Sequence, residues 1–373
     1  MLVLLVVTFL AFVDYAALLP VVPLWAASGG ATGTAVGGTT GVMMAATVAT
    51  QLAVPWLFRL CTLRTMIVAG AALLGAPTPL YLLSTDLAPI TAITAVRGIG
   101  FALVVTAGAT LVADLAPGGK LSSSASLYGV AAALPNLGAL AGGVWIARSW
   151  GFPVVFGAAA VACLAGAALA PLLPGGQRAV FRAGSVADGR AIATPVVLFV
   201  ATAASFGAVT TFLPVELPEA GIAAWALLAA SVALVFARLG AGVIGDRYGP
   251  GRLLRGSVLS CAAGLAFVAA APSAPVLSIV GATLLGAGFG ACQNDSFVLT
   301  LCRLGEGRSG AASTIWNIAY DGGLGLGAVV FGWSLGGLGY TGAFLGAGGV
   351  VAVVVAFAGQ SVRRAVLSEP RRE

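Results

Sequence analysis

From Val3 to Ala358 the sequence runs as apolar stretches that are each long enough to cross a bilayer, and no other feature restricts the fold so severely. A helix needs about 20 apolar residues to span the hydrocarbon layer. Glycine, proline and charge divide the chain into twelve such stretches: Val3–Trp25, Val36–Phe58, Thr65–Ser84, Ala88–Leu115, Ser123–Ala147, Phe152–Leu173, Thr194–Val215, Ile222–Ile244, Leu253–Ala271, Pro275–Leu301, Gly310–Trp333 and Thr341–Ala358. Backbone groups find no water inside lipid, so each stretch is expected as a helix. Charged residues make up 8% of the chain, against roughly 25% in soluble proteins, and this excludes an ordinary soluble domain. The 53 glycines suit helices packed closely in lipid, where small residues let backbones approach.

Several function classes fall away at once. Five cysteines without C-x-x-C spacing, in a chain with no histidine, argue against a disulfide framework or a zinc site, so neither metal nor cofactor is expected. No phosphate-binding loop and no paired nucleophile and base are visible, so neither an enzyme nor a self-contained ATP-driven pump is expected. An ion channel would show a repeated filter or a ring of charge, and none is present. The first stretch has no basic residue ahead of it and is interrupted by Asp14, which fits a retained helix better than a cleaved leader.

Basic residues fall on alternate connections. Arg59 and Arg64, Lys120, then Arg178, Arg182 and Arg190 share one side with Arg238, Arg247, Arg252 and Arg255, with Arg303 and Arg308, and with Arg363, Arg364, Arg371 and Arg372. That is sixteen of eighteen, and the positive-inside rule places this face and both termini in the cytoplasm, with the protein in the plasma (inner) membrane. Net charge +6 then reflects topology, and no nucleic-acid partner is expected. The longest connection, Pro174 to Ile192, splits the chain into a six-helix bundle over 1–175, a cytoplasmic linker over 176–192, a second six-helix bundle over 193–360 and a cytoplasmic tail over 361–373. An internal repeat agrees with this division. Gly98-Ile99-Gly100-Phe101 recurs 188 positions later as Gly286-Ala287-Gly288-Phe289, and Arg59 and Arg64 match Arg247 and Arg252 at the same offset. Leu19-Pro20-Val21 matches Leu213-Pro214-Val215 at an offset of 194.

The stretch from Arg238 to Arg255 concentrates charge between two apolar runs. Gly245, Asp246, Arg247, Gly249 and Arg252 resemble the G-x-x-x-D-R-x-G-R loop that major facilitator superfamily transporters carry between paired helices. The resemblance covers almost the whole chain. It implies an all-α membrane protein of twelve transmembrane helices in two pseudo-symmetric six-helix bundles, working as a monomer in the lipid bilayer with its substrate site between the halves. It also implies that the loop, with Arg238 ahead of it, gates the inside face, where Asp246 can neutralise an arginine and hold helix ends together. The first-half loop departs from the pattern: Phe58 stands where the second half has Asp246, and Cys61 replaces Gly249.

An ionisable group inside a bilayer needs a partner, a water-filled cavity or a function. Asp14 and Arg97 fall near the middle of the first and fourth stretches. Arg97 with Gly98 resembles the family's helix-4 arginine-glycine motif, associated with proton transfer, and the resemblance brings helices 1 and 4 together. Either Asp14 carries the coupling proton while Arg97 tunes it, or the two form a static pair that fixes packing. Asn317 and Asp321, four residues apart on one helical face, are expected to line a cavity or a gate. Asn294 and Asp295 are expected at the cavity too, with Asp295 alternatively reaching toward Arg303 and the inside face. Tyr15, Phe101 and Phe289 are the aromatic candidates for the cavity wall, with Phe206, Trp316 and Tyr320 behind them. Pro135, Asn136, Gly138, Gly142 and Gly143 resemble, in degenerate form, the helix-5 motif of the family's exporters; the alternative is general glycine and proline tolerance in membrane helices. The expected function is a proton-coupled antiporter exporting amphipathic or hydrophobic small molecules. Uptake or exchange of a polar metabolite is the alternative.

Overall fold

The computed structural model describes residues 1–115, 121–174, 189–217, 220–304 and 309–367, and within them the chain is helical with no strand. Twelve helices follow one another. The first six are α1 (Leu2–Ser28), α2 (Gly33–Leu60), α3 (Leu63–Gly75), α4 (Leu87–Leu115), α5 (Leu121–Ser149) and α6 (Phe152–Leu169). The second six are α7 (Gly189–Glu216), α8 (Ala220–Tyr248), α9 (Leu254–Ala269), α10 (Leu277–Leu304), α11 (309–338) and α12 (340–367). Among the described residues, eight helical stretches are long and apolar enough to cross a membrane.

Three departures from the expected helices have local causes. The third stretch is not one helix: α3 stops at Gly75, and a 3₁₀ turn follows over Thr78–Leu83. Pro77 and Pro79 lack the N–H that a continuing helix needs, and their rings clash with the preceding turn. The expected loop between α11 and α12 shrinks to Gly339, at φ 63° and ψ −179°, a conformation that glycine alone adopts without strain. The expected linker over 176–192 falls mostly outside the described residues, and α7 already begins at Gly189. The expected tail is helical as far as Leu367, and its last six residues lie outside the described chain.

The repeated glycines do the same work in both halves. A methyl on Gly98 would overlap the Met43 carbonyl of α2, and one on Gly286 would overlap the Ala230 carbonyl of α8. Two residues on, Gly100 packs against the backbone of α3 at Leu74, while Gly288 packs against α9 at Ser257 and Cys261. The fourth helix of each bundle therefore sits against the second and third at backbone contact distance. Only small residues permit this packing in lipid.

The halves meet along α2 and α11, α5 and α8, and α1 and α7. Two ends of the molecule are usefully separated: the terminal end, where α1 starts, and the distal end, where α1 finishes. From the distal end inward, Gly33 approaches Gly332, Gly37 approaches Ala328, and Gly325 approaches Met44. Thr40 and Thr211 share a hydroxyl hydrogen bond at 3.0 Å. Arg148, at the distal end of α5, donates to the carbonyl of Pro214 in α7. The distal end is closed by these contacts.

The glycine packing yields a direct test. Gly286→Ala forces α10 away from α8 and is expected to cost about 1–3 kcal/mol, the usual range for overpacking. Gly256→Ala, where nothing stands within 4 Å of the new methyl, is expected to leave the melting temperature in detergent unchanged or raise it. Equal melting temperatures for the two variants would contradict the packing account.

Candidate functional site

In the first half, Asp14 of α1 and Arg97 of α4 form an ion pair, with Arg97 Nη2 donating to Asp14 Oδ2 at 2.6 Å. The side chains are 0% and 1% exposed, so water satisfies neither, and the pair must be held by protein alone. The break in α3 helps to do this. Where the helix ends, the carbonyl of Leu74 is free of its ladder partner, and Arg97 Nε donates to it at 3.1 Å. Tyr81, from the 3₁₀ turn, lies with its ring centroid 5.6 Å from the Arg97 guanidinium and shares a 2.7 Å hydrogen bond with Thr94. Asp14 Oδ1 has no hydrogen-bond partner. Among the described residues the second half has no such ion pair, and Ala208 and Leu285 stand at the repeat positions of Asp14 and Arg97.

At the interface of the halves, Gln51 of α2 donates through Nε2 to Asp321 Oδ2 of α11 at 2.7 Å, both residues being buried. Gln51 escaped the sequence reading, although a lone amide in the apolar run of α2 was the signal for it. Tyr15 of α1 has its hydroxyl buried without a hydrogen-bond partner. Its ring stacks on Phe101 at 3.9 Å between centroids. Tyr15 and Phe101, expected at the cavity wall, are buried in this conformation.

The second half presents an aromatic wall. Phe199 and Trp316 stack at 4.7 Å, Trp316 and Tyr320 at 5.8 Å, and Phe289 lies 5.7 Å from Tyr320 and 4.7 Å from Phe206. Phe289 is fully buried, whereas Trp316, Asn317 and Tyr320 are partly exposed. Asn317 Nδ2 donates to the Ser313 carbonyl one turn earlier, at 2.9 Å.

Two charged residues sit elsewhere than expected. Asp295 neither faces a cavity nor reaches toward Arg303. Its Oδ1 accepts from the Gly251 amide at 2.6 Å and its Oδ2 from the Leu253 amide at 2.9 Å. The carboxylate thus satisfies backbone donors ahead of α9 that would otherwise be orphaned, and ties the α8–α9 loop to α10. Arg238 is not part of that loop. It lies inside α8, ten residues before the helix ends at Tyr248, and its Nη1 donates to Gln293 Oε1 of α10 at 3.2 Å. The count of basic residues on the loop side falls accordingly. Its distance from the helix end was the available signal.

In the loop itself Gly249 and Gly251 take left-handed φ values of 85° and 93°, while Asp246, Arg247 and Arg252 are exposed and Gly245 is partly so. Asp246 forms no ion pair among the described residues, so the expected charge clamp is not made in this conformation. In α5, Pro135 is buried, Asn136 is partly buried, and Gly143 packs on the Ala17 backbone of α1. Gly138 and Gly142 face open space instead of sealing a contact between the halves.

The asymmetry of the ion pair can be tested by making the first half resemble the second. Asp14→Ala or Arg97→Leu alone leaves one buried charge without its partner and is expected to destabilise by about 3–5 kcal/mol. The double variant is expected to recover most of that loss in thermal unfolding. If the double variant is no more stable than the worse single one, the two charges do not act as a pair.

A family model described as the Major Facilitator Superfamily matches residues 4–328. No protein of curated function matches the sequence. Several solved structures share the fold at low identity. A POT family transporter in complex with a thioalcohol-conjugated peptide superposes with a TM-score of 0.78 at 13% identity, over 98% of this chain and 96% of that one. A D-xylose–proton symporter gives 0.73 at 15%, over 96% of each chain. The nucleoside transporter NupG gives 0.72 at 12%, over 99% of each. With twelve apolar helices in two related bundles and a family match over most of its length, this chain belongs to the Major Facilitator Superfamily and is a multi-pass membrane transporter.

Proposed function

We propose that the protein is a proton-coupled antiporter that exports amphipathic small molecules by alternating access, with both termini in the cytoplasm of a cell whose plasma (inner) membrane it spans. The observation that carries this reading is the fully buried Asp14–Arg97 pair, whose carboxylate keeps one oxygen without a partner. A carboxylate that is ionised beside arginine and neutral when protonated changes the charge of the bundle interior by one. Such a change alters which arrangement of the two halves is favoured. The Gln51–Asp321 bond ties the halves together on the terminal side of the distal contacts, nine residues before α2 ends at Leu60. In this reading Asp14 binds and releases the coupling proton, Arg97 tunes it, and Asp321 couples the two halves through Gln51. The linker over 176–192 joins the two moving bodies, and the α8–α9 loop, with Asp246, Arg247 and Arg252, gates the terminal end. The aromatic wall of Phe199, Trp316 and Tyr320 supports a substrate with an apolar body.

A second reading, uptake of a polar metabolite together with protons, draws on Gln293 and the partly exposed Asn294 in α10. Everted vesicles distinguish the two. Under an inside-acid gradient an antiporter accumulates its substrate from a panel of lipophilic cations, neutral drugs, organic acids and sugars. Asp14→Asn and Arg97→Ala are each expected to reduce that accumulation at least about tenfold. Substrate movement in the same direction as protons would establish uptake instead. Gradient-driven accumulation that survives Asp14→Asn would remove Asp14 from the coupling step.

A further inference from the structure

The two interior arginines differ in what neutralises them. Arg97 is fully buried and matched by a carboxylate. Arg238 is partly exposed, donates to the neutral amide of Gln293, and has no carboxylate within ion-pair distance among the described residues. A guanidinium carries five N–H donors in a rigid fork that fits a carboxylate with two parallel bonds. One amide oxygen uses only part of that capacity. The chain places a cation deep in a helical bundle, where charge is costly, and supplies no protein anion to balance it.

The surroundings fit a particular kind of counter-ion. One turn along α10 from Gln293, Ser296 Oγ accepts from Trp316 Nε1 at 3.2 Å, and the Trp316 ring stacks on Tyr320. From Tyr320 the rings of Trp316 and Phe199 continue as a stacked, nearly parallel series with interplanar angles of 19° and 14°. One turn along α8 from Arg238, a methyl on Gly242 would lie 3.9 Å from Asn294 Nδ2, so a further amide borders the same face. A cation, the amides of Gln293 and Asn294, and the Trp316 ring thus gather around one turn of α10.

We propose that Arg238 binds the carboxylate of an amphipathic organic anion, whose apolar or aromatic body lies along the partly exposed Trp316 and Tyr320, with the buried Phe199 ring behind Trp316. This inference rests on the transport reading above and narrows its substrate to monocarboxylates with an apolar body. It agrees with export on physical grounds, since an inside-negative membrane potential drives an anion outward.

Equilibrium binding to the purified full-length protein tests the site without any gradient. The probes are benzoate, naphthalene-2-carboxylate and decanoate, each beside its carboxamide, followed by calorimetry and by quenching of tryptophan fluorescence. The wild-type protein is expected to bind at least one carboxylate at least tenfold more tightly than its amide, equivalent to about 1.4 kcal/mol. Arg238→Gln is expected to abolish that preference while retaining amide binding, and Arg238→Lys to keep part of it. Should Arg238→Gln fold poorly, Gln293→Glu keeps the arginine, supplies an internal carboxylate to occupy it, and is expected to abolish the preference as well. No binding of any carboxylate, equal affinity for acid and amide, or an undiminished preference in Arg238→Gln or Gln293→Glu would overturn the proposal. The two readings fail separately. Carboxylate preference without gradient-driven transport leaves the site and removes the coupling. Gradient-driven efflux of neutral compounds without carboxylate preference leaves the coupling and removes the site.

Discussion

A charge inside this bundle persists only beside a group that compensates it, and the partners found for five interior charges organise the molecule. Asp14 and Arg97 compensate each other and fix α1 against α4. Asp321 is held by Gln51 from the opposite half. Asp295 is held by two backbone amides at the entrance to α9. Arg238 meets a neutral amide and, among the described residues, no carboxylate. In water these differences would matter little, but at low dielectric each decides whether the group serves packing, gating or binding. The break in α3 belongs to the same logic, because the carbonyl it frees at Leu74 becomes a further acceptor for Arg97.

Against that pattern of charge, the scaffold is close to two-fold. Gly98 and Gly286, Gly100 and Gly288, and Phe101 and Phe289 occupy matching places and meet matching helices. The polar residues do not follow the repeat. The ion pair is confined to the first half, and the half-buried arginine and the long aromatic wall to the second. In the proposed reading, the duplicated frame carries one half that holds a proton and another that holds a substrate. Alternating access needs such a frame, because rocking of related halves about a central site exposes it to either side in turn.

Much of the fold was legible because lipid leaves few choices. Twenty apolar residues in a row must become a helix, and both the number of helices and the duplication followed from that. The candidate site was legible where charge interrupted an apolar run, as at Asp14 and Arg97. It was much less legible where the partner is polar but neutral, or is backbone. Gln51 is one amide in a long helix, and nothing local connects it to Asp321, 270 residues away. Asp295 read as a cavity residue because its partners are amides, which every residue has. Arg238 read as part of the basic loop by its charge, although it already stood inside the eighth apolar stretch, and α8 continues ten residues beyond it. Pro77 and Pro79 were visible, yet the apolar run through them concealed the end of α3.

Protonation-linked rocking of the halves is the central claim, and an inter-helix distance reports it without knowledge of the substrate. Spin labels at Thr34 in α2 and Leu338 in α11, both exposed at the distal end, can be placed in a background freed of the exposed Cys302. The distance distribution between them in nanodiscs, measured by pulsed electron resonance across a range of pH, follows the distal closure directly. The account predicts one short distance at high pH, a growing longer population on acidification, and loss of that response in Asp14→Asn. A distribution that ignores pH in the wild-type protein would contradict it.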